Sequence, residues 1–378
     1  FRVITAPFFI VWGLAFLLMG FRKLRREKNF SRTRLYFLVA GLFYGLGFHG
    51  YIAYRSTPFI MLVVLWFTFF RYRRAGLKRE FYLSAATFIL TAFIVITPLI
   101  IYFLTHPDSF FGRAAGLSVF NSATPFSSLL SNMVKTLGML NVQGDLNWRH
   151  NVSGRPELFW PVGLLFWVGV LVGLVALVKP LARRQEAARR AATFCTRRNL
   201  AYAVLFVWII VAAGPVILSN ERLPHALRSL LLVPAIFMLA ASGTHWALQA
   251  LQRKAGGKIA TVLLAALVVA ALVDGYRTIF ISWAKNPNLP AFFGADYVQI
   301  GREINALPDD VPKFVVIAAR GMTARDLPVP AQTVMFLTDT FPVEKREKKN
   351  LVFISPREAK EVPPGSFLWT LNDIPSEP

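Results

Sequence analysis

The feature that most constrains this chain is a succession of apolar runs near 3–21, 35–53, 57–70, 81–104, 160–178, 199–218, 229–248 and 259–275. A hydrocarbon core about 30 Å thick takes about 20 helical residues to cross. Backbone inside it must satisfy its own hydrogen bonds, which for single runs of this length means helix. The run at 57–70 is short for a span, and Tyr54-Arg55-Ser56 would join it to its predecessor as a tight hairpin, with Pro58 in the first turn. With 55% of 378 residues hydrophobic and a mean hydropathy of +0.49, the chain lacks the polar surface of a soluble protein. The expected fold is an all-α polytopic membrane helix bundle of about eight transmembrane helices over 1–275, followed by a small α/β domain over 276–378.

Charge orients this arrangement. Arg22, Lys23, Arg25, Arg26, Lys28, Arg32 and Arg34 form one cluster, and Arg71, Arg73, Arg74, Lys78 and Arg79 the next. Lys179, Arg183, Arg184, Arg189, Arg190, Arg197 and Arg198 form a third, with a weaker fourth at Arg253, Lys254 and Lys258. Every second loop is therefore basic, and the positive-inside bias places all four in the cytoplasm. The net charge of +22 is explained by these loops and does not call for nucleic acid. The same parity puts Phe1 and the tail on the extracytoplasmic side of a multi-pass plasma (inner) membrane protein. An outside start with no signal peptide leads us to expect a longer protein with further helices upstream. The single cysteine, Cys195, excludes an internal disulfide framework and a cysteine metal cluster.

The long loop 105–159 is where function is expected. Thr124 is suited to cap and Pro125 to open a helix, after which Phe126, Leu129, Leu130, Met133, Val134, Leu137 and Leu140 recur at helical spacing. This amphipathic helix near 125–140 is too short and too polar to span, so it should lie in the membrane interface or across the tops of the spans. His106-Pro107-Asp108, with Arg113, opens the loop. Asn147-Trp148-Arg149-His150-Asn151 closes it. His106, Arg149, His150 and Asn151 are candidate substrate or acceptor residues, together with His225 in the compact segment Ser219 to Arg228. Arg55 stands at the end of the glycine-rich second run, beside Tyr54; Arg222 and Arg228 frame His225. These cations suit a phosphate at the lipid–water boundary, and Arg can grip two of its oxygens. The histidines are too scattered to define a zinc site, and no metal or other cofactor is assigned, although nothing forbids a divalent ion.

In the tail, Tyr297–Leu307 reads as helix. Lys313–Ala318, Thr333–Leu337, Leu351–Ser355 and Phe367–Leu371 read as strands, and Arg357–Lys360 as a helical turn. Turn signals stand at Pro308-Asp309-Asp310 and Pro363-Pro364-Gly365. No glycine-rich phosphate loop precedes a helix there.

Taken in order, Gly45–Arg55, Pro98–Phe110, Arg149–Pro156 and Leu223–Leu230 resemble a series found in the C-terminal part of bacterial glycosyltransferases of the C-type membrane fold. These are relatives of dolichyl-phosphate-mannose protein mannosyltransferases and of the lipid A aminoarabinose transferase. The opening Phe1-Arg-Val-Ile-Thr-Ala-Pro7 resembles the start of a middle helix in such enzymes. The resemblance implies transfer of a sugar, mannose-like or related, from a polyprenyl-phosphate carrier to a protein, lipid or glycan acceptor, with inversion. It also implies a catalytic aspartate in a first external loop, expected upstream of Phe1, so no catalytic residue is nominated in this sequence. Arg55 falls where some relatives place a basic residue facing the carrier phosphate; Tyr54, Arg222 and Arg228 complete the expected donor-phosphate set. A polysaccharide polymerase or ligase using a lipid-linked glycan is the nearest alternative. A transporter or flippase of an anionic or lipid-linked substrate is more distant, because the centres of the spans are almost free of charge.

Overall fold

The computed structural model describes residues 2–107, 109–110, 118–182, 196–220, 223–319, 323–324 and 327–374. Asp108, Arg113, the arginines of 183–190, Cys195 and Arg222 lie outside the described residues. The chain divides into two compact units, residues 1–145 with 154–274, and residues 146–153 with 275–378.

The first unit is helical: α1 (Arg2–Glu27), α2 (Arg34–Gly47), α3 (Pro58–Arg74), α4 (Lys78–Thr105), α5 (Pro125–Gly138), α6 (Trp160–Ala182), α7 (Arg197–Ile217), α8 (Val233–Ala255) and α9 (Gly257–Tyr276). Short 3-10 turns, Ile52–Ser56 and Leu227–Leu232, lead into α3 and α8, and a π-helical turn, Arg277–Trp283, extends α9 into the second unit. Counted with these turns, seven helices among the described residues are long and apolar enough to cross a membrane.

The eighth expected span is α2, which stops at Gly47 after 14 residues. At 1.5 Å per residue it reaches about 21 Å, short of a hydrocarbon core of about 30 Å. The helix ends where the ring of Tyr54 packs so tightly on Gly47 that any side-chain carbon there would collide with it. The run at 57–70 proves to be the full-length one, because the 3-10 turn lengthens it to Ile52–Arg74.

Small residues set the helix crossings. A side-chain carbon at Gly41 would lie 2.6 Å from the carbonyl oxygen of Phe88 on α4, and Gly45 packs equally closely on Ala92 and Val95. Between α6 and α8 the approach is closer: carbons at Gly169 and Gly243 would each come within 1.9 Å of a carbonyl oxygen of the other helix. Backbones this close gain dispersion contact that larger side chains would forbid. Outward-facing positions are apolar instead, among them Leu62, Ile94, Leu104, Leu171 and Ile210. A water-soluble bundle would carry polar residues on such a face; here the face is apolar.

In the second unit a three-stranded parallel sheet runs in the order β4 (Leu351–Ile354), β1 (Lys313–Ile317), β5 (Phe367–Leu371), with Val315 opposite Phe353 and Trp369. Two two-residue strands, β2 (Thr323–Ala324) and β3 (Leu327–Pro328), pair separately. Helices α10 (Leu289–Phe292), α11 (Ala295–Ala306), α12 (Gln332–Thr338) and α13 (Val343–Lys348) surround the strands in sequence. The segment expected as a strand at Thr333–Leu337 is the helix α12. Parallel pairing of β1 with β4 needs a crossover that returns the chain to the starting edge, and a helix supplies it. Val334, Met335 and Thr338 are the buried positions of that helix, and Leu337 packs on Gly301 of α11. Lys313, only 1% exposed, donates from Nζ to the carbonyl oxygens of Val311 (2.9 Å), Lys349 (3.0 Å) and Pro308. Three acceptors offset the cost of burying the ammonium.

Candidate functional site

One end of the first unit collects the polar residues that the helices otherwise exclude. Tyr51 is extended, Ile52–Ser56 turns tightly, and Pro58 restarts the chain as α3, a position where proline's missing N–H costs nothing. This turn packs against Leu227–Leu232 and the end of α7.

Arg55 projects from the turn towards the end of α4. Its guanidinium lies 4.6 Å from the ring centre of Phe103 and 4.7 Å from that of Phe110, and it donates a 2.6 Å hydrogen bond to the carbonyl oxygen of Phe110. Two aromatic faces hold the plane of the cation. Among the described residues this is the one acceptor it engages, and a guanidinium carries five N–H donors.

Arg228 donates to the hydroxyl of Ser219. Asp145, 4% exposed, accepts the Ala226 N–H at 2.8 Å, and its carboxylate stands 3.9 Å from His225 Nδ1. Asp145 thus ties the end of the long loop to the segment that presents Arg228. Arg155 pairs with Asp274 at 2.5 Å.

Helix α5 attaches here through polar residues. Asn132 and Thr136 are its buried residues, and Asn132 Nδ2 donates to the carbonyl oxygens of Ile217 (2.9 Å) and Ser219 (3.0 Å). Phe126, at 86% exposure, and Leu130, Met133, Val134 and Leu137 point away from the protein. Asn132 and Thr136 seat the helix on the bundle, most of its apolar residues face outward, and Leu129 and Leu140 are drawn inward. Thr124 makes no side-chain cap; its carbonyl oxygen accepts the Ser128 N–H instead.

The residues singled out from the sequence are therefore unequally placed. Arg55, Arg228 and His225 stand at this end. Tyr54 is fully buried among Tyr44, Phe48 and Gly47, with a hydroxyl that finds no partner among the described residues; it is a packing residue. His106 caps α4, stacked on Tyr102 and hydrogen-bonded to Thr105 and the Tyr102 carbonyl oxygen. Arg149, His150 and Asn151 belong to a turn of the second unit, where the N–H groups of Arg149 and His150 both donate to Asn147. Asp145, Ser219 and Asn132 were not anticipated. The available signal was Asp145 itself, the one carboxylate between Arg113 and Arg155.

Cations and hydroxyls dominate this end, and the buried carboxylate is already engaged by a backbone N–H. These groups can bind and orient an anion at an apolar boundary; they form no nucleophile–base relay among the described residues. The fold comprises a bundle with seven helices, among the described residues, long and apolar enough to cross a membrane, and a separate unit with a small parallel sheet. No protein-family model, curated protein or solved structure matches the chain.

Proposed function

We propose a membrane glycosyltransferase function for this chain, with the sugar taken from a polyprenyl-phosphate carrier. Arg55 binds the carrier phosphate, Arg228 with Tyr51 lies on the same side, and the acceptor is a protein, lipid or glycan on the extracytoplasmic face. The observation that carries the reading is Arg55, a guanidinium clamped between two phenyl rings at the end of an apolar bundle, with donors to spare. An amphiphilic phosphate needs that combination: an apolar flank for its tail and an oriented, permanently charged fork for its head. The outward apolar face of α5 supports it, since such a helix settles at the lipid boundary where the phosphate of a carrier also sits. The scarcity of charge at mid-helix speaks against the transporter.

Binding of a polyprenyl-phosphate hexose to the purified chain in nanodiscs tests the proposal. Arg55→Ala should weaken binding about 10- to 150-fold, the worth of one charge-assisted hydrogen bond. Arg55→Lys should recover part of it. Unchanged binding by Arg55→Ala removes this residue from the site. A clear preference for a pyrophosphate-linked glycan over the monophosphate sugar would replace the proposal with the polymerase or ligase reading.

A further inference from the structure

At the other end of the bundle, α1, α3 and α7 enclose a cavity of about 500 Å³ with one charged mouth. This volume lies within the ordinary range of ligand cavities. From Val11 to Arg25 its wall follows one stripe of α1, about 21 Å at the helical rise per residue. The inner end is closed by Trp208, whose indole N–H is already committed to the Leu231 carbonyl oxygen. It offers no polar partner there. Leu18 and Met238, also lining residues, are exposed, so the cavity opens sideways onto the lipid-facing surface.

The other end has the opposite character. Arg22 and Arg25, one turn apart on α1, and Arg71 on α3 all line the mouth, and none of the lining residues is acidic. Tyr72 beside them donates its hydroxyl to the Phe21 carbonyl oxygen, which closes the gap between α1 and α3 and holds the two helix ends together. A long apolar slot with three cations from two helices at one end is complementary to a single kind of molecule: an amphiphile with an anionic head.

We infer that this cavity is a binding site for an anionic glycerophospholipid, one acyl chain lying along α1 towards Trp208 and the phosphate held by Arg22, Arg25 and Arg71. The inference depends on the bundle residing in a membrane and not on the role proposed for Arg55, which stands at the opposite end. A free soluble anion would leave the apolar length of the cavity unused. A neutral lipid would place no anionic group beside the three cations that line this end.

Native mass spectrometry of the full chain, titrated with dioleoyl phosphatidylglycerol and dioleoyl phosphatidylcholine, tests the site. The wild-type chain should prefer the anionic lipid by about tenfold or more, given the attraction each basic residue adds near a charged headgroup. The variant Arg22→Gln/Arg25→Gln/Arg71→Gln should lose that preference. Arg73→Gln/Arg74→Gln/Arg79→Gln removes equal charge outside the cavity and should keep it. Ala15→Phe, which fills the slot, should weaken both lipids and leave their ratio unchanged. Equal loss from the two triple variants would reduce the effect to a diffuse basic surface and overturn the proposal. So would displacement of the lipid by inorganic phosphate, or a full-strength complex with Ala15→Phe. Should a triple variant melt early, Arg25→Gln alone provides the reading, since Arg25 is exposed. Polyprenyl-phosphate hexose binding by the lining variants should match wild type, which separates failure here from failure at Arg55.

Discussion

The two ends of the helical unit use arginine in different ways. At one end Arg55 is stacked between Phe103 and Phe110, and Arg228 is bonded to Ser219. At the other, Arg22 and Arg25 are exposed side chains bordering an apolar slot, with half-buried Arg71 opposite. The first arrangement fixes where a donor points. The second supplies a summed field that tolerates movement of the individual chains. Oriented cations discriminate the shape and valency of an anion, whereas a loose ring discriminates mainly its charge.

That contrast can be broken by measurement. The largest effect should come from Asp145→Ala, which removes a buried carboxylate and its bond to the half-buried Ala226 N–H. A loss of about 2–3 kcal/mol in unfolding free energy is expected, against under about 0.5 kcal/mol for Arg73→Ala in the basic loop. Equal losses would mean that the polar end is no more organised than the loops. Next, Arg228→Met keeps the apolar stem but removes the bond to Ser219, and should cost about 1.5–2 kcal/mol, while Arg25→Met should cost under about 0.5 kcal/mol. Thermal unfolding in one detergent compares the pair. Tyr54→Phe deletes a buried hydroxyl without a partner among the described residues and should stabilise the fold by about 1 kcal/mol. A loss instead would show that the hydroxyl has a partner in solution. Smallest is the response to salt. Raising ionic strength from about 0.1 M to about 1 M shortens the screening length from about 10 Å to about 3 Å. Phosphatidylglycerol binding at the basic end should weaken several-fold, and the Arg55-dependent binding of a polyprenyl-phosphate sugar distinctly less.

How much of this was visible beforehand follows from the range of the interactions involved. Seven long helices were legible because each is announced by its own apolar run. The end of α2 was not, since it depends on Tyr54, seven residues later, folding back onto Gly47. Strands β1, β4 and β5 were readable from short apolar runs between turn signals. The same kind of run at 333–337 became a helix, because a short apolar run has no decisive period and the crossover requirement is settled elsewhere in the fold. Arg55 and Arg228 could be chosen from residue type and position alone. Tyr54 was chosen on the same grounds and is fully buried, a difference that nothing local announces, since no local signal distinguishes a ring that faces inward. The contact of Asp145 with the His225–Ala226 segment joins positions 80 residues apart, and periodicity carries no information at that distance.

The seating of α5 through Asn132 has a mechanical meaning. Its hold on the protein runs through Asn132 to the carbonyl groups that end α7, while its outward face is free to follow an apolar medium. In a bilayer its depth would be set by the lipid and communicated, through two hydrogen bonds, to the segment bearing Ser219 and its partner Arg228. In that setting membrane thickness would become a coordinate of the segment, adjustable by acyl-chain length with no change to the protein.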